Sequence, residues 1–136
     1  GNPGVICAQD LTGIATSFAP EWSGTMSLEH RRSLQREWLG RPLVFRARAD
    51  LMVTDEFYTT VNGAPGSKQP SYAKLDARLA VGRADGRWEV ALVGRNLTDE
   101  LYAVWYEPLV AAGPNTGYFA TTARTRQLGL QLRVSY

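Results

Sequence analysis

The sequence predicts an all-β fold, an antiparallel up-and-down meander of about five long strands. Apolar and polar side chains alternate in five separate segments, which is the period expected of strands with one apolar face. The stretches between the segments contain Gly, Pro and Asn, which are typical of turns and loops. The 136 residues include 13 Gly, 7 Pro, 4 Trp and 6 Tyr, a composition that favours strands over a helical bundle.

The alternating segments set the number of strands. They are Trp22–Glu29, Leu43–Val53, Ser71–Val81, Trp88–Arg95 and Leu128–Tyr136. The last segment is the most regular, because every second residue from Leu128 to Tyr136 is apolar or aromatic. Together they predict an antiparallel sheet with one apolar and one polar face.

The connections between these segments differ in length. Arg83–Arg87 is a short hairpin around Asp85-Gly86, a pair favoured in type I′ turns. Arg31–Arg41 is predicted to be a polar connection of intermediate length, whereas Asp55–Gln69 and Asp99–Thr125 are long. The long loops therefore lie at one end of the predicted sheet and the shorter turns at the other.

One segment leaves an alternative open. Ser27–Leu39 could form an amphipathic helix, with Leu28, Leu34 and Trp38 roughly on one side. Gly40 would end such a helix, as it would end a strand.

Composition and motifs limit the classes of function that the chain can have. One modest domain, residues 1–136, accounts for the chain. The net charge of +2 is too small to predict a nucleic-acid partner, and Cys7 alone cannot close an internal disulfide. No Ser/His/Asp or Cys/His constellation, phosphate-binding loop or paired-carboxylate motif is present, and His30 lacks the converging ligands of a metal site. We therefore expect neither an enzyme nor a protein that carries a cofactor or metal.

Alternation alone does not decide which face is buried. A soluble sandwich buries its apolar face, whereas a membrane barrel turns that face to lipid and its polar face to the lumen. Leu43–Val53 and Ser71–Val81 reach the length of about 9–11 residues that crosses a bilayer. Their many alanines would fill a soluble core poorly, and the aromatic Tyr136 suits an interfacial girdle. These features favour the barrel.

Four motifs carry a resemblance to a known family. Residues 88–102, WEVALVGRNLTDELY, contain Asn96, Leu97, Asp99 and Tyr102. This spacing resembles the penultimate-strand signature of TonB-dependent outer-membrane receptors. The strand before it is similar to the family pattern at Tyr72, Leu75, Asp76 and Arg78, and an earlier loop and strand are similar to it at Gly13, Ala19, Pro20 and Trp22. The last segment resembles the C-terminal signal that the barrel assembly machinery reads, at Gln127, Gly129, Leu132, Val134 and Tyr136.

The resemblance implies the C-terminal part of a transmembrane β-barrel of about 22 strands in the outer membrane of a Gram-negative bacterium. Nothing in the chain resembles the N-terminal plug or its TonB box. Such a receptor takes up a scarce nutrient, for example an iron–siderophore complex, driven by the TonB complex through the plug. The implied partners are outer-membrane lipid, the barrel assembly machinery, the TonB complex and a small-molecule nutrient.

The resemblance also implies an orientation. Asp85-Gly86 and Arg31–Arg41 become periplasmic turns, and the two long loops with residues 1–20 become extracellular. Lipid would face Leu128, Leu130, Leu132 and Val134. The charges implied to face the lumen are Arg46, Arg48, Asp50, Lys74, Asp76, Arg78, Glu89, Arg95 and Arg133.

Aromatic residues of the last long loop are candidates for ligand contact. They are Tyr102, Trp105, Tyr106, Tyr118 and Phe119. The same residues could instead form an interfacial belt or pack the loop. Two other functions stay open, a small soluble β-sandwich or β-barrel binding module and a non-transporting outer-membrane barrel.

Overall fold

Five long antiparallel strands form one sheet in the computed structural model, which describes residues 10, 12–38, 40–60, 63, 65–108 and 117–136. The strands in chain order are β1 (Ser23–Trp38), β2 (Arg41–Thr54), β3 (Phe57–Tyr58), β4 (Lys68–Gln69), β5 (Tyr72–Arg83), β6 (Trp88–Arg95), β7 (Ala103–Pro108), β8 (Tyr118–Thr122) and β9 (Gln127–Val134). The main sheet has the order β1-β2-β5-β6-β9, and the pairs β3-β4 and β7-β8 form two small sheets. The predicted all-β meander is therefore confirmed.

The described residues include one short 3₁₀ turn, Pro65–Ser67. None of their helical segments has the length and apolar character required to cross a membrane.

The first hairpin corrects two expectations. β1 continues through the proposed connection, since His30 pairs with Ala47 and Leu34 with Leu43, and after an irregularity Trp38 pairs with Arg41. The helix alternative and the intermediate-length connection Arg31–Arg41 are both wrong. Pairing with β2 satisfies the N–H and C=O groups on that side of β1 whatever its side chains are. The tight turn instead uses Gly40, whose φ of +68° favours glycine.

The second hairpin turn has a different geometry from the predicted one. The Gly86 N–H donates to the Arg83 carbonyl at 3.0 Å, so Ala84 and Asp85 are the central residues. Only Gly86 among these residues has a positive φ, +76°, whereas a type I′ turn needs a positive φ at both central positions. Asp85 Oδ1 accepts a hydrogen bond from the Arg87 N–H at 3.2 Å.

The charge of Asp85 is favoured in this turn. Desolvation raises the pKa of Asp85, but the hydrogen bond from Arg87 and the charges of Arg83 and Arg87 outweigh it and lower the pKa below its usual value.

The register gives the sheet two chemically distinct faces. One row across it joins Leu28, Ala49, Ala77, Gly94 and Leu128. Side chains of this apolar face are open, and Leu130 is 78% exposed. The opposite, polar face carries the charged residues, and the small residues Val44, Ala80 and Ala91 are buried there.

His30 and Arg32 interrupt the apolar face. Their partners Ala47 and Phe45 belong to that face, so both side chains share it. They lie on β1, which is an edge strand of the sheet.

Candidate functional site

The nine charged residues predicted to face a lumen all lie on the polar face. Glu89 is the centre of this set, with a side chain only 15% exposed. Its Oε2 lies 2.6 Å from Arg46 Nη1 and its Oε1 lies 2.5 Å from Arg78 Nη2. This network joins β2, β5 and β6 across the sheet, and the small residues beneath it are buried.

Two further ion pairs on this face each lie within one strand. Arg48 Nε is 2.8 Å from Asp50 Oδ2 in β2, and Lys74 Nζ is 3.4 Å from Asp76 Oδ2 in β5. Ser27 of β1 donates to Asp50 Oδ1 at 2.6 Å. Arg95 and Arg133 form no ion pair with the part of the chain that the structure describes.

Asn96 is the centre of the motif that follows β6. It is 4% exposed and has a positive φ of +50°, a conformation that asparagine tolerates better than most residues. Asn96 Nδ2 donates to the carbonyls of Glu100 at 2.9 Å and Arg124 at 3.1 Å, and Asn96 Oδ1 accepts from the Glu100 N–H at 3.0 Å. The Asn96 N–H donates to Asp76 Oδ1 at 2.8 Å.

The other motif residues extend this arrangement. The Leu97 N–H donates to the Leu75 carbonyl at 2.7 Å, and Leu97 packs so closely on Gly94 that a Cβ there would lie 2.6 Å from Leu97 Cδ2. Asp99 Oδ1 accepts from the Arg126 N–H at 2.9 Å. The motif thus connects the end of β6 to the segment that enters β9.

Tyr102 stacks on Tyr72, with ring centroids 4.3 Å apart and planes 7° from parallel. Beside this pair is a recess of about 340 Å³ on the polar face, lined by Lys74, Asp76, Arg95, Asn96, Tyr102, Arg124, Thr125 and Gln127. Arg124 and Thr125 are absent from the predicted site. Their spacing in the sequence gives no signal, because Arg124 reaches the recess through a hydrogen bond from Asn96, 28 residues away.

Trp105 belongs to a second aromatic group. Trp105 stacks on Phe18 at a centroid distance of 5.8 Å, and Phe18 also contacts Phe57 at 6.3 Å. Phe18 is a residue that the sequence pattern missed. Tyr106 is half-buried and Phe119 is exposed, while the side chain of Tyr118 lies outside the described part of the structure. The predicted set is therefore divided, with Tyr102 on the polar face and Trp105 packed on the first loop.

Hydrogen bonds connect the loops that carry these aromatics. The Phe18 N–H donates to the Tyr58 carbonyl at 2.7 Å, and the Ala103 N–H donates to Oε1 of the buried Gln69 at 2.7 Å. Lys68 Nζ lies 2.6 Å from Glu56 Oε1. The hydrogen bond to Glu56 raises the pKa of Lys68.

The residues of the proposed assembly signal divide between the two faces of β9. Leu132 and Val134 lie on the apolar face and Gly129 on the polar face, opposite Val90, Trp88 and Val93 of β6. Gln127 pairs with Arg95. Tyr136 follows the strand and is fully exposed.

The described residues contain no group of three or more His, Cys, Asp or Glu side chains that could hold a metal ion. Cys7 lies outside the described residues. Comparison with protein-family models, with curated proteins and with solved structures found no match.

Proposed function

We propose that this chain is the C-terminal part of the barrel wall of a TonB-dependent outer-membrane transporter. The transporter would take up a scarce nutrient, such as an iron–siderophore complex. One observation carries the membrane part of this proposal. The main sheet leaves its apolar face open and carries the ion pairs of Glu89 with Arg46 and Arg78 on the opposite face, which is the distribution expected of a wall between lipid and an aqueous lumen.

A soluble sandwich accounts less well for this distribution. It would need a second layer over Leu128, Leu130 and Leu132, yet these side chains stay exposed among the described residues. The two small sheets pair only two and five residue positions, too few to cover the face of five long strands. An open apolar surface of this kind marks a contact with membrane or protein.

Arg32 is compatible with a lipid-facing sheet for a physical reason. Arg32 lies six positions before Trp38, in the half of β1 that ends at the tight turn. A long arginine side chain near a membrane surface can extend its charged end into the interface. The cost of such a residue falls to about 0–1 kcal/mol near the interface.

The open edges of β1 and β9 support a larger barrel. Neither strand pairs on its outer side among the described residues. Unpaired backbone groups are not tolerated in lipid, so a membrane wall requires further strands on both sides. The motif around Asn96 and the pattern from Gln127 to Tyr136 then favour the receptor family over other barrels, because they resemble that family in order and spacing.

A pair of substitutions in β9 tests the membrane assignment. Leu130→Arg introduces a charge on the apolar face, whereas Gln131→Arg introduces the same charge on the polar face one residue later. We expect Leu130→Arg to cost about 2–4 kcal/mol in the membrane if its site is near the midplane, and Gln131→Arg to cost little. The measurement is the amount of each variant of the whole gene product in the outer-membrane fraction, together with its urea midpoint in detergent.

Equal amounts of the two variants in the outer membrane would contradict the membrane assignment. So would a wild-type product that is found in the soluble fraction. Transport itself is tested by uptake of radioactive iron–siderophore complexes in iron-limited cells with and without the gene. The proposal requires uptake that depends on both the gene and TonB.

A further inference from the structure

We propose that the recess beside Asn96 binds the carboxylate group of a small molecule that has a planar aromatic body. The inference rests on the proposed function, which makes the polar face the lumen wall and puts the recess at its extracellular end. It adds a substrate class to that function.

The recess has an excess of positive charge. Lys74, Arg95 and Arg124 line it, with Asp76 as the one carboxylate among the residues that define its wall. Both oxygens of Asp76 are already engaged, Oδ1 by the Asn96 N–H at 2.8 Å and Oδ2 by Lys74 Nζ at 3.4 Å. The two arginines have no carboxylate within ion-pair distance among the described residues.

The position of one arginine is fixed by the fold. The buried Asn96 side chain donates to the Arg124 carbonyl at 3.1 Å, so the backbone of Arg124 is held beside the end of β6. Arg95 is the residue directly before Asn96 and pairs with Gln127. Two arginines from different segments therefore line one recess, and a guanidinium group matches a carboxylate through paired hydrogen bonds.

An aromatic wall completes the recess. Tyr102 lines it while its ring is stacked on Tyr72 at 4.3 Å, and this stack restricts the ring of Tyr102. A planar apolar group beside such a ring gains contact area at little entropic cost. The volume of about 340 Å³ falls at the lower end of the range for small-molecule sites, about 300–1,000 Å³. It therefore suits one aromatic acid group rather than a whole large ligand.

Benzoate tests this inference, with benzamide as its neutral isostere and inorganic phosphate as an anion that has no ring. Binding is measured by isothermal titration calorimetry on the purified whole gene product, in lipid nanodiscs if it is a membrane protein and in buffer if it is soluble. We expect benzoate to bind more tightly than either of the other probes.

The variants distinguish binding of benzoate in the recess from attraction to the overall positive charge of the polar face. Arg95→Gln combined with Arg124→Gln should weaken benzoate binding by about ten-fold or more, because two charge-assisted contacts are lost. Arg133→Gln removes a guanidinium charge from the same face outside the recess, and should change the affinity for benzoate less than about two-fold. Both recess arginines are exposed, so the double variant should keep the melting temperature of the wild type.

Several results would overturn the inference. They are benzamide or phosphate binding as tightly as benzoate, a double variant that binds benzoate like the wild type, and an equal loss in Arg133→Gln. No measurable benzoate binding by the folded protein would overturn it as well. Failure of the proposed function is distinct from these results, because it appears as a wild-type product that does not enter the outer membrane.

Discussion

Asn96 combines side-chain hydrogen bonds to two backbone segments with a positive φ. Its side chain bonds the backbone of Glu100 and of Arg124, and its own N–H bonds Asp76. Its φ of +50° lies in the left-handed region, where a β-carbon costs roughly 1–2 kcal/mol in most residues. Asparagine suits both requirements, since its short polar side chain forms local hydrogen bonds in that conformation.

Substitution of Asn96 can separate these two contributions. We expect Asn96→Ala to lower the free energy of unfolding by about 3 kcal/mol, because the side-chain hydrogen bonds of Asn96 are lost and alanine must adopt a positive φ. Asn96→Gly loses the same hydrogen bonds without the β-carbon, so it should be more stable than Asn96→Ala by about 1 kcal/mol. Urea unfolding of the purified protein measures both values.

Thr98→Ala is the matched control for these variants. The Thr98 hydroxyl has one contact among the described residues, to Asn96 Oδ1 at 3.4 Å, and its removal should cost less than about 0.5 kcal/mol. A loss in Thr98→Ala as large as in Asn96→Ala would show that the effect is not specific to Asn96.

At the scale of elements, the charged network of the polar face connects three strands. Glu89 of β6 contacts Arg46 of β2 and Arg78 of β5, although β2 and β6 are not neighbours in the sheet. Two cations beside one carboxylate would repel each other without it. Glu89 therefore connects side chains of three strands by neutralising both cations.

Glu89→Gln tests this contribution. The variant keeps the size of the side chain but leaves Arg46 and Arg78 without the negative charge, so we expect a loss of about 1–2 kcal/mol, less than for a fully buried pair because the arginines are partly solvated. Glu29→Gln is the control, because Glu29 is an exposed carboxylate of the same face with no ion pair among the described residues. Urea unfolding with equal losses in both variants would contradict a specific role for Glu89.

The strands themselves could be predicted where side-chain alternation is strong. β6 runs from Trp88 to Arg95, the first and last residues of the predicted alternation, and β9 begins at Gln127 as the alternation does but ends at Val134, two residues before Tyr136. β1 could be predicted only in its first half, because His30, Arg32 and the residues after Leu34 break the alternation. The second half of β1 is a strand because it pairs with β2. This pairing depends on two strands, so the pattern of a single segment does not predict it.

The candidate site could be predicted only in part for a similar reason. Alternation suffices to place nine charges on one face, since that depends on position along each strand alone. The recess depends on contacts between distant segments, such as Asn96 with Arg124 and Trp105 with Phe18. The short motifs identify Asn96 but not its partner Arg124. They do not indicate that Phe18 contacts Trp105.

At the scale of the whole molecule, the sheet is incomplete as a membrane structure. It has an open apolar face and two open edges among the described residues. Its stability in water would be limited by both features, since exposed apolar strands and unpaired edges favour association. A membrane would cover the apolar face, and further strands would pair with the two edges. For this reason the proposed function is that of a barrel wall rather than of an independent domain.

Tyr136 offers a test of how this sheet would enter such a barrel. It is fully exposed and makes no hydrogen bond or ring contact among the described residues, so Tyr136→Ser should leave the unfolding free energy of the purified protein within about 0.5 kcal/mol of the wild type. If the assembly machinery reads this aromatic, the same variant should accumulate severalfold less in the outer membrane. Tyr136→Phe keeps the aromatic ring and should accumulate normally. Because the sheet does not depend on Tyr136, reduced accumulation with unchanged stability would assign the residue to recognition during assembly, whereas normal accumulation of Tyr136→Ser would exclude it from the signal.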